Sequence, residues 1–359
     1  MNLSKSFLAG ATLSFFGLLL LAEVFLRLAV PAGSWYKHFD ASGDMTSLVE
    51  LRDRLRYSPR RWTDDSSLLL LGDSVLGASA LMEHRVSGAR DNTLSKFLKD
   101  RLQSVSETAL SLGSDGLLLP DILGLNLEFM PHPPRRIILF LNFRMFAKEF
   151  AEGPKALSRN FLLSDLPEDI QKRLAPDVPL SKEAQLSDRL YAEMGDHWFL
   201  FRETQMLKTL WYYPSQKDFF QRALEQVLGR NETQVEIAEA ALKQKVASYY
   251  QAYLWDKRGL PLKCLQKILD QWAERRVQAS IFLVPQNPKF LGSYLDKPSF
   301  EKNRKTLAAF LKPYSKKGIF YSDWADRFSP TYFLDHCHLT PAGNEQFAKD
   351  VIKAMEPWK

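Results

Sequence analysis

Three short apolar runs constrain the fold most: Ser67–Leu71 (SLLLL, closed by Gly72), Ile137–Asn142 (IILFLN) and Ser280–Val284 (SIFLV). None of them alternates polar with apolar residues. A strand of that kind is buried on both faces, as happens in parallel sheets covered by helices on either side. Two weaker runs, Thr108–Leu112 (TALSL) and Ile319–Ser322, fit the same reading. Helical patterns lie between them. One, capped by Asn92, runs to about Leu102; others span about 119–129, 262–275 and 300–314. The last opens with Thr340 as N-cap and Pro341 at the first helical position and runs toward Met355. Five strands alternating with helices predict an α/β fold around a mainly parallel sheet, with function gathered at the carboxyl ends of the strands.

With 359 residues, 45% of them hydrophobic and 25% charged, the chain has the composition of a folded protein, which excludes disordered and low-complexity classes. The net charge of +6 suits an anionic surface but is too diffuse to argue for nucleic acid, and no nucleic-acid partner is expected. Two cysteines, Cys264 and Cys337, are too few for a disulfide scaffold or a four-cysteine zinc site.

Ser6–Ala22 carries no charge over 17 residues, and the apolar character continues to Val30. A helix over 7–30 would be roughly 36 Å long, enough to cross a bilayer core of about 30 Å with some tilt. Residues 1–30 are therefore expected to form a single-pass transmembrane anchor, with Glu23 and Arg27 paired i,i+4 near its end. A cleaved signal peptide ending near Val30-Pro31-Ala32 is the rival. Positive charge on both sides leaves the orientation open; an extracytoplasmic domain is the expectation. Residues 31–65 read as a juxtamembrane connector and 66–359 as the α/β domain, interrupted by a helical, aromatic-rich insertion at about 147–258. Thr233 and Glu236 form a capping-box pattern inside that insertion.

Gly72-Asp73-Ser74 follows directly on the first apolar run, so Ser74 sits at a strand's carboxyl end, a position that suits a nucleophile. Near the other end, Asp335-His336-Cys337-His338 precedes the capped helix. A carboxylate three residues from an imidazole can bond its inner nitrogen and leave the outer one to accept a hydroxyl proton. Asp335 would orient and His338 would be the base, with His336 as competitor. Arg144 could meet an acidic substrate group or simply be solvated, and His197-Trp198 could line a cleft or pack a helix. No metal set is apparent, since His336 and His338 have no nearby third ligand apart from Asp335.

Together these segments resemble the SGNH hydrolases, also called GDSL esterases and lipases. The resemblance covers about 66–146 and 260–357. It implies a flavodoxin-like three-layer α/β/α sandwich, a serine nucleophile at Ser74, a histidine base at His338, an aspartate at Asp335, and no metal or cofactor. It also implies an oxyanion hole made by the amides of Ser74 and Gly116, with Gly113 as the rival glycine, and by the side chain of Asn142. The family's Gly-x-Asn-Asp block reads Phe140-Leu141-Asn142-Phe143 here, matching at two of four positions. The activity implied is that of a membrane-anchored serine esterase or O-acyltransferase acting on acyl esters of an envelope polysaccharide or lipid. The alternatives are a non-catalytic envelope assembly or binding protein that keeps the fold, and a cytoplasm-facing lipid hydrolase.

Overall fold

The structure is a computed structural model, and it describes residues 14–24, 67–102, 108–113, 116–147, 170, 259–290 and 297–355. The chain divides into two compact units, Met1–Trp35 with Leu180–Glu232, and Tyr36–Pro179 with Thr233–Lys359. In the first unit, residues 14–24 are helical, with Phe15, Phe16, Leu18, Leu20, Leu21 and Val24 exposed. Among the described residues no helix is long and apolar enough to cross a membrane. The rest of the expected span over 7–30, the connector, and the insertion apart from residues 147 and 170 lie outside the described residues. The Thr233 capping box and His197-Trp198 lie outside them as well.

The second unit carries a sheet of five strands: β1 Ser67–Gly72, β2 Thr108–Gly113, β3 Arg136–Leu141, β4 Gln278–Leu283 and β5 Ile319–Asp323. The order is β2-β1-β3-β4-β5, and every neighbouring pair is parallel. Alternate residues of each strand feed opposite layers. Leu69, Leu71, Ile137, Leu139, Ile281 and Leu283 join one core, while Leu68, Leu70, Ile138, Phe140 and Phe282 join the other. Burial on both faces explains why these runs do not alternate, and each fully buried Leu contributes about 1.5–3 kcal/mol.

Among the described residues, five helices cover the two faces: α1 Leu94–Leu102, α2 Leu119–Phe129, α3 Leu260–Glu274, α4 Lys297–Leu311 and α5 Pro341–Ala354. α2, α3 and α4 supply the first core; α1 and α5 supply the second. The result is a flavodoxin-like three-layer sandwich. Its strand order reverses between β1 and β3, and ligands of such sheets bind beyond the carboxyl ends of the strands at that switch point.

Local departures from the sequence reading have identifiable causes. Thr93, not Asn92, caps α1: its Oγ1 accepts from the Lys96 amide at 3.1 Å. Asn92 is drawn away, donating to the Ser87 and Gly88 carbonyls while its own carbonyl accepts from Asn344 Nδ2 at 2.9 Å. α3 starts at Leu260 rather than Leu262, with Pro261 in its first turn. α4 ends at Leu311 and tightens into a 3₁₀ segment, Lys312–Lys317, around Pro313, which has no N–H to continue the α-helical ladder. Thr340 caps α5 as expected, accepting from the Gly343 amide at 3.1 Å.

Candidate active site

β1 delivers its chain to the switch point, where Asp73 stops the strand and starts a 3₁₀ turn over Ser74–Leu76. Asp73 Oδ1 accepts from the Val75 amide at 3.2 Å, a local bond that turns Ser74 out of the sheet. Gly72 packs closely here: a Cβ would lie 2.9 Å from Leu76 Cδ1 and 3.2 Å from Phe140 Cβ, so a larger residue would have to push these side chains aside. The turn can therefore fold back onto the strand it leaves.

The loop between β5 and α5 is clamped into a narrow hairpin by the Phe333–Leu339 bridge. The Leu334 amide donates to the His338 carbonyl at 2.8 Å, and the Thr340 amide donates to the Tyr332 carbonyl at 2.8 Å. Within it, Asp335 Oδ1 accepts from the amides of Cys337 at 3.0 Å and His338 at 2.8 Å. The other oxygen, Oδ2, lies 2.7 Å from His338 Nδ1, and His338 Nε2 lies 2.7 Å from Ser74 Oγ. Two segments 264 residues apart thus meet in one continuous hydroxyl–imidazole–carboxylate chain. All three side chains are largely buried, with Ser74 6% and Asp335 9% exposed.

His336, the competing histidine, faces elsewhere. Its Nε2 lies 3.4 Å from Cys337 Sγ and its Nδ1 3.6 Å from Asp335 Oδ1, with its ring edge-on to Phe290 and to His338. The segment after β4 supports this loop from behind. Asn287 Nδ2 donates to the Asp335 carbonyl at 2.7 Å, and the Asn287 amide donates to the His336 carbonyl at 2.8 Å.

Asn142 ends β3 fully buried, beside the same turn. Its Oδ1 accepts from the Arg144 amide at 3.2 Å; its Nδ2 donates to Asp73 Oδ2 at 3.3 Å and to Cys337 Sγ at 3.5 Å. Arg144 is not simply solvated. Its Nη2 donates to Asp73 Oδ2 at 2.9 Å, which ties the β3 end to the β1 end. Of the two candidate glycines, Gly113 packs on the Ser74 turn: a Cβ there would lie 3.2 Å from Leu76 Cβ and 3.3 Å from the Asp73 carbonyl oxygen. Gly116, at φ +74°, faces open space.

The electrostatics follow from the geometry. Burial disfavours the Asp335 carboxylate, but the charge and hydrogen bond of His338 outweigh it and hold the group well below the usual carboxylate range. Burial likewise opposes an imidazolium at His338, yet Cys337 and Asp335 together push its pKa well above 6.5. Cys337 is pulled down to about 6 against its own burial by His336 and His338. His336 is raised, with burial opposed by Cys337 and Asp335.

The sequence reading passed over Cys337 as a possible ligand. Donor atoms of Asp335, His336 and Cys337 lie within 4.8 Å of one another. The Asp335 carboxylate is already engaged by His338 and two amides, so an ion there would take it from the imidazole. Asn287 and the Asp73–Arg144 pair were also missed. Asn287 stands just past the fourth apolar run in Pro285-Gln286-Asn287-Pro288, where the strand-end rule that singled out Ser74 and Asn142 would have found it.

Comparison with known proteins adds little beyond the fold. No curated protein matches the chain. A protein-family model matches residues 203–356, which is less than half of the chain. A solved structure from Bacteroides fragilis, described as a "putative acylhydrolase", is similar at 10% identity with a TM-score of 0.39, over 85% of this chain and 95% of that one. At that level the likeness assigns neither activity nor substrate to this chain.

Proposed function

We propose that this chain is a membrane-anchored serine esterase or O-acyltransferase of the SGNH type, acting on acyl esters at the cell envelope. The observation that carries the reading is the chain from Ser74 Oγ through His338 to Asp335, with both side-chain contacts at 2.7 Å. In the first half-reaction Ser74 Oγ attacks the ester carbonyl while His338 Nε2 takes the hydroxyl proton and Asp335 stabilises the imidazolium. The tetrahedral oxyanion is held by the Ser74 amide, a glycine amide from the β2 loop, Gly116 or Gly113, and Asn142 Nδ2. Both Nδ2 contacts are long, so a full negative charge on oxygen competes for one of its protons. Collapse expels the alcohol, which takes the proton from His338 and leaves an acyl-serine. Water or a sugar hydroxyl then attacks the acyl carbon, with His338 again as base. An apolar run of membrane length and the exposed apolar side chains of residues 14–24 support attachment to a bilayer.

A non-catalytic envelope protein is the second reading, favoured by the engagement of Asn142 with Asp73, Cys337 and the Arg144 amide. Incubation of the full chain with an activated acetyl ester separates the two. The expected result is an acetyl group on the Ser74 peptide, which then passes to water or, with a polysaccharide acceptor, to sugar hydroxyls. No adduct and no ester turnover would leave only the second reading.

The base must be neutral to accept a proton, and its raised pKa keeps it protonated further up the pH scale. Turnover therefore rises with pH through a limb above 6.5. Cys337→Ser removes the thiolate that helps raise His338, so the limb in a kcat/KM profile is expected to move to lower pH. An unmoved limb would mean that the thiol carries no charge beside the base.

A further inference from the structure

At the opposite end of the sheet, the entries to β3, β4 and β5 are rich in basic residues. Arg135-Arg136 enters β3, Arg275-Arg276 enters β4, and Lys316-Lys317, preceded by Lys312, enters β5. These strands are neighbours, and their register aligns the pairs. Arg136 stands opposite Gln278 and Ala279 opposite Ile319; the Gln278 amide donates to the Arg135 carbonyl at 3.0 Å and the Ala279 amide to the Gly318 carbonyl at 3.3 Å, so the basic pairs enter neighbouring strands at nearly the same level. At about 4.8 Å per strand the three pairs fall within roughly 10 Å. Arg135, Arg275, Arg276, Lys312, Lys316 and Lys317 are exposed, and Glu274 is the one acid in stretches 131–136, 274–278 and 312–318.

Two further observations point to a partner. Arg276 has φ +55° and occupies the left-handed position that ends α3. The Arg276 amide donates to the Ala273 carbonyl and the Val277 amide to the Trp272 carbonyl, a capping pattern in which glycine is usual. An arginine there is conformationally costly, and it adds a cation at the entry to β4 where glycine would add none. Phe320, the second residue of β5 and three past Lys317 in the chain, is 38% exposed, an apolar ring of the kind found at lipid–water interfaces.

We propose that the edge formed by the amino ends of β3, β4 and β5 docks on anionic lipid headgroups, which leaves the carboxyl ends of the strands, and Ser74, facing away from the bilayer. The inference rests on the membrane-attached part of the proposed function and is independent of its catalytic part. Each basic residue near an anionic surface adds roughly fivefold to partitioning.

The test is amide hydrogen exchange of the full chain with phosphatidylcholine vesicles and with vesicles containing phosphatidylglycerol. Exchange in 131–136, 274–278 and 312–318 is expected to slow at least about tenfold on the anionic vesicles only, to recover at high salt, and to recover in R275E/R276E/K316E/K317E. Arg276→Gly guards against misfolding: it relieves the left-handed strain, so it should melt no lower than wild type and yet lose part of the protection. Equal association and exchange on both vesicles overturns the docking surface but not the anchor. Association with anionic vesicles alone overturns the anchor and supports the surface; association with neither overturns both. Equal protection by a soluble acidic polysaccharide on neutral vesicles overturns the assignment to lipid.

Discussion

Ser74→Ala is expected to lower ester turnover by about 10⁴–10⁶-fold while the protein stays folded. The hydroxyl reaches His338 Nε2 at 2.7 Å, so its removal takes away one hydrogen bond and opens no cavity larger than an oxygen atom. Unfolding free energy should change by no more than about 1–2 kcal/mol. His338→Ala should cost a similar factor, and the double variant little more than either single one, because nucleophile and base act as one unit. Multiplicative losses in the double variant would show that the two groups work separately.

Asp335→Asn should be almost as damaging, with turnover down by about 10⁴-fold, for a different reason. The amide oxygen of an asparagine can still accept from the Cys337 and His338 amides, which preserves the loop. Its NH₂ would then face His338 Nδ1, and the imidazole would have to accept there. The proton moves to Nε2, the atom that must take the proton of Ser74. Denaturant unfolding should show a modest loss of stability against this large loss of rate. Full activity in Asp335→Asn would mean that the carboxylate does not set the tautomer.

Much of the architecture was readable because burial on both faces leaves a direct trace in composition. Leu68–Leu71, Ile137–Leu141 and Phe282 face two cores in turn, so neither face needs polar residues. Element ends were less legible. Asn92 and Thr93 are both competent caps; the Asn92 side chain donates to the Ser87 and Gly88 carbonyls and its carbonyl accepts from Asn344 on α5, which leaves Thr93 to cap α1. At the site, Ser74 and Asn142 were findable from strand ends, and the i,i+3 spacing distinguishes His338 from His336 once Asp335 commits both backbone amides to one oxygen. Contacts that depend on which strands are neighbours were not findable. The Asp73–Arg144 pair needs β1 beside β3, and although Asn287 itself lies past a strand end, its bond to the Asp335 carbonyl needs the β4 end against the 335–338 loop. The sequence reading prefers Gly116 over Gly113, whereas packing puts Gly113 against the Ser74 turn.

The central claim is that Ser74 is an activated nucleophile, and a fluorophosphonate tests it most directly, since it phosphonylates a serine only when a base withdraws the hydroxyl proton. Wild-type protein should take one label, mapped by peptide mass spectrometry to Ser74, with labelling abolished in Ser74→Ala and strongly slowed in His338→Ala. A wild-type protein that takes no label, or a Ser74→Ala variant labelled as fast as wild type, would contradict it.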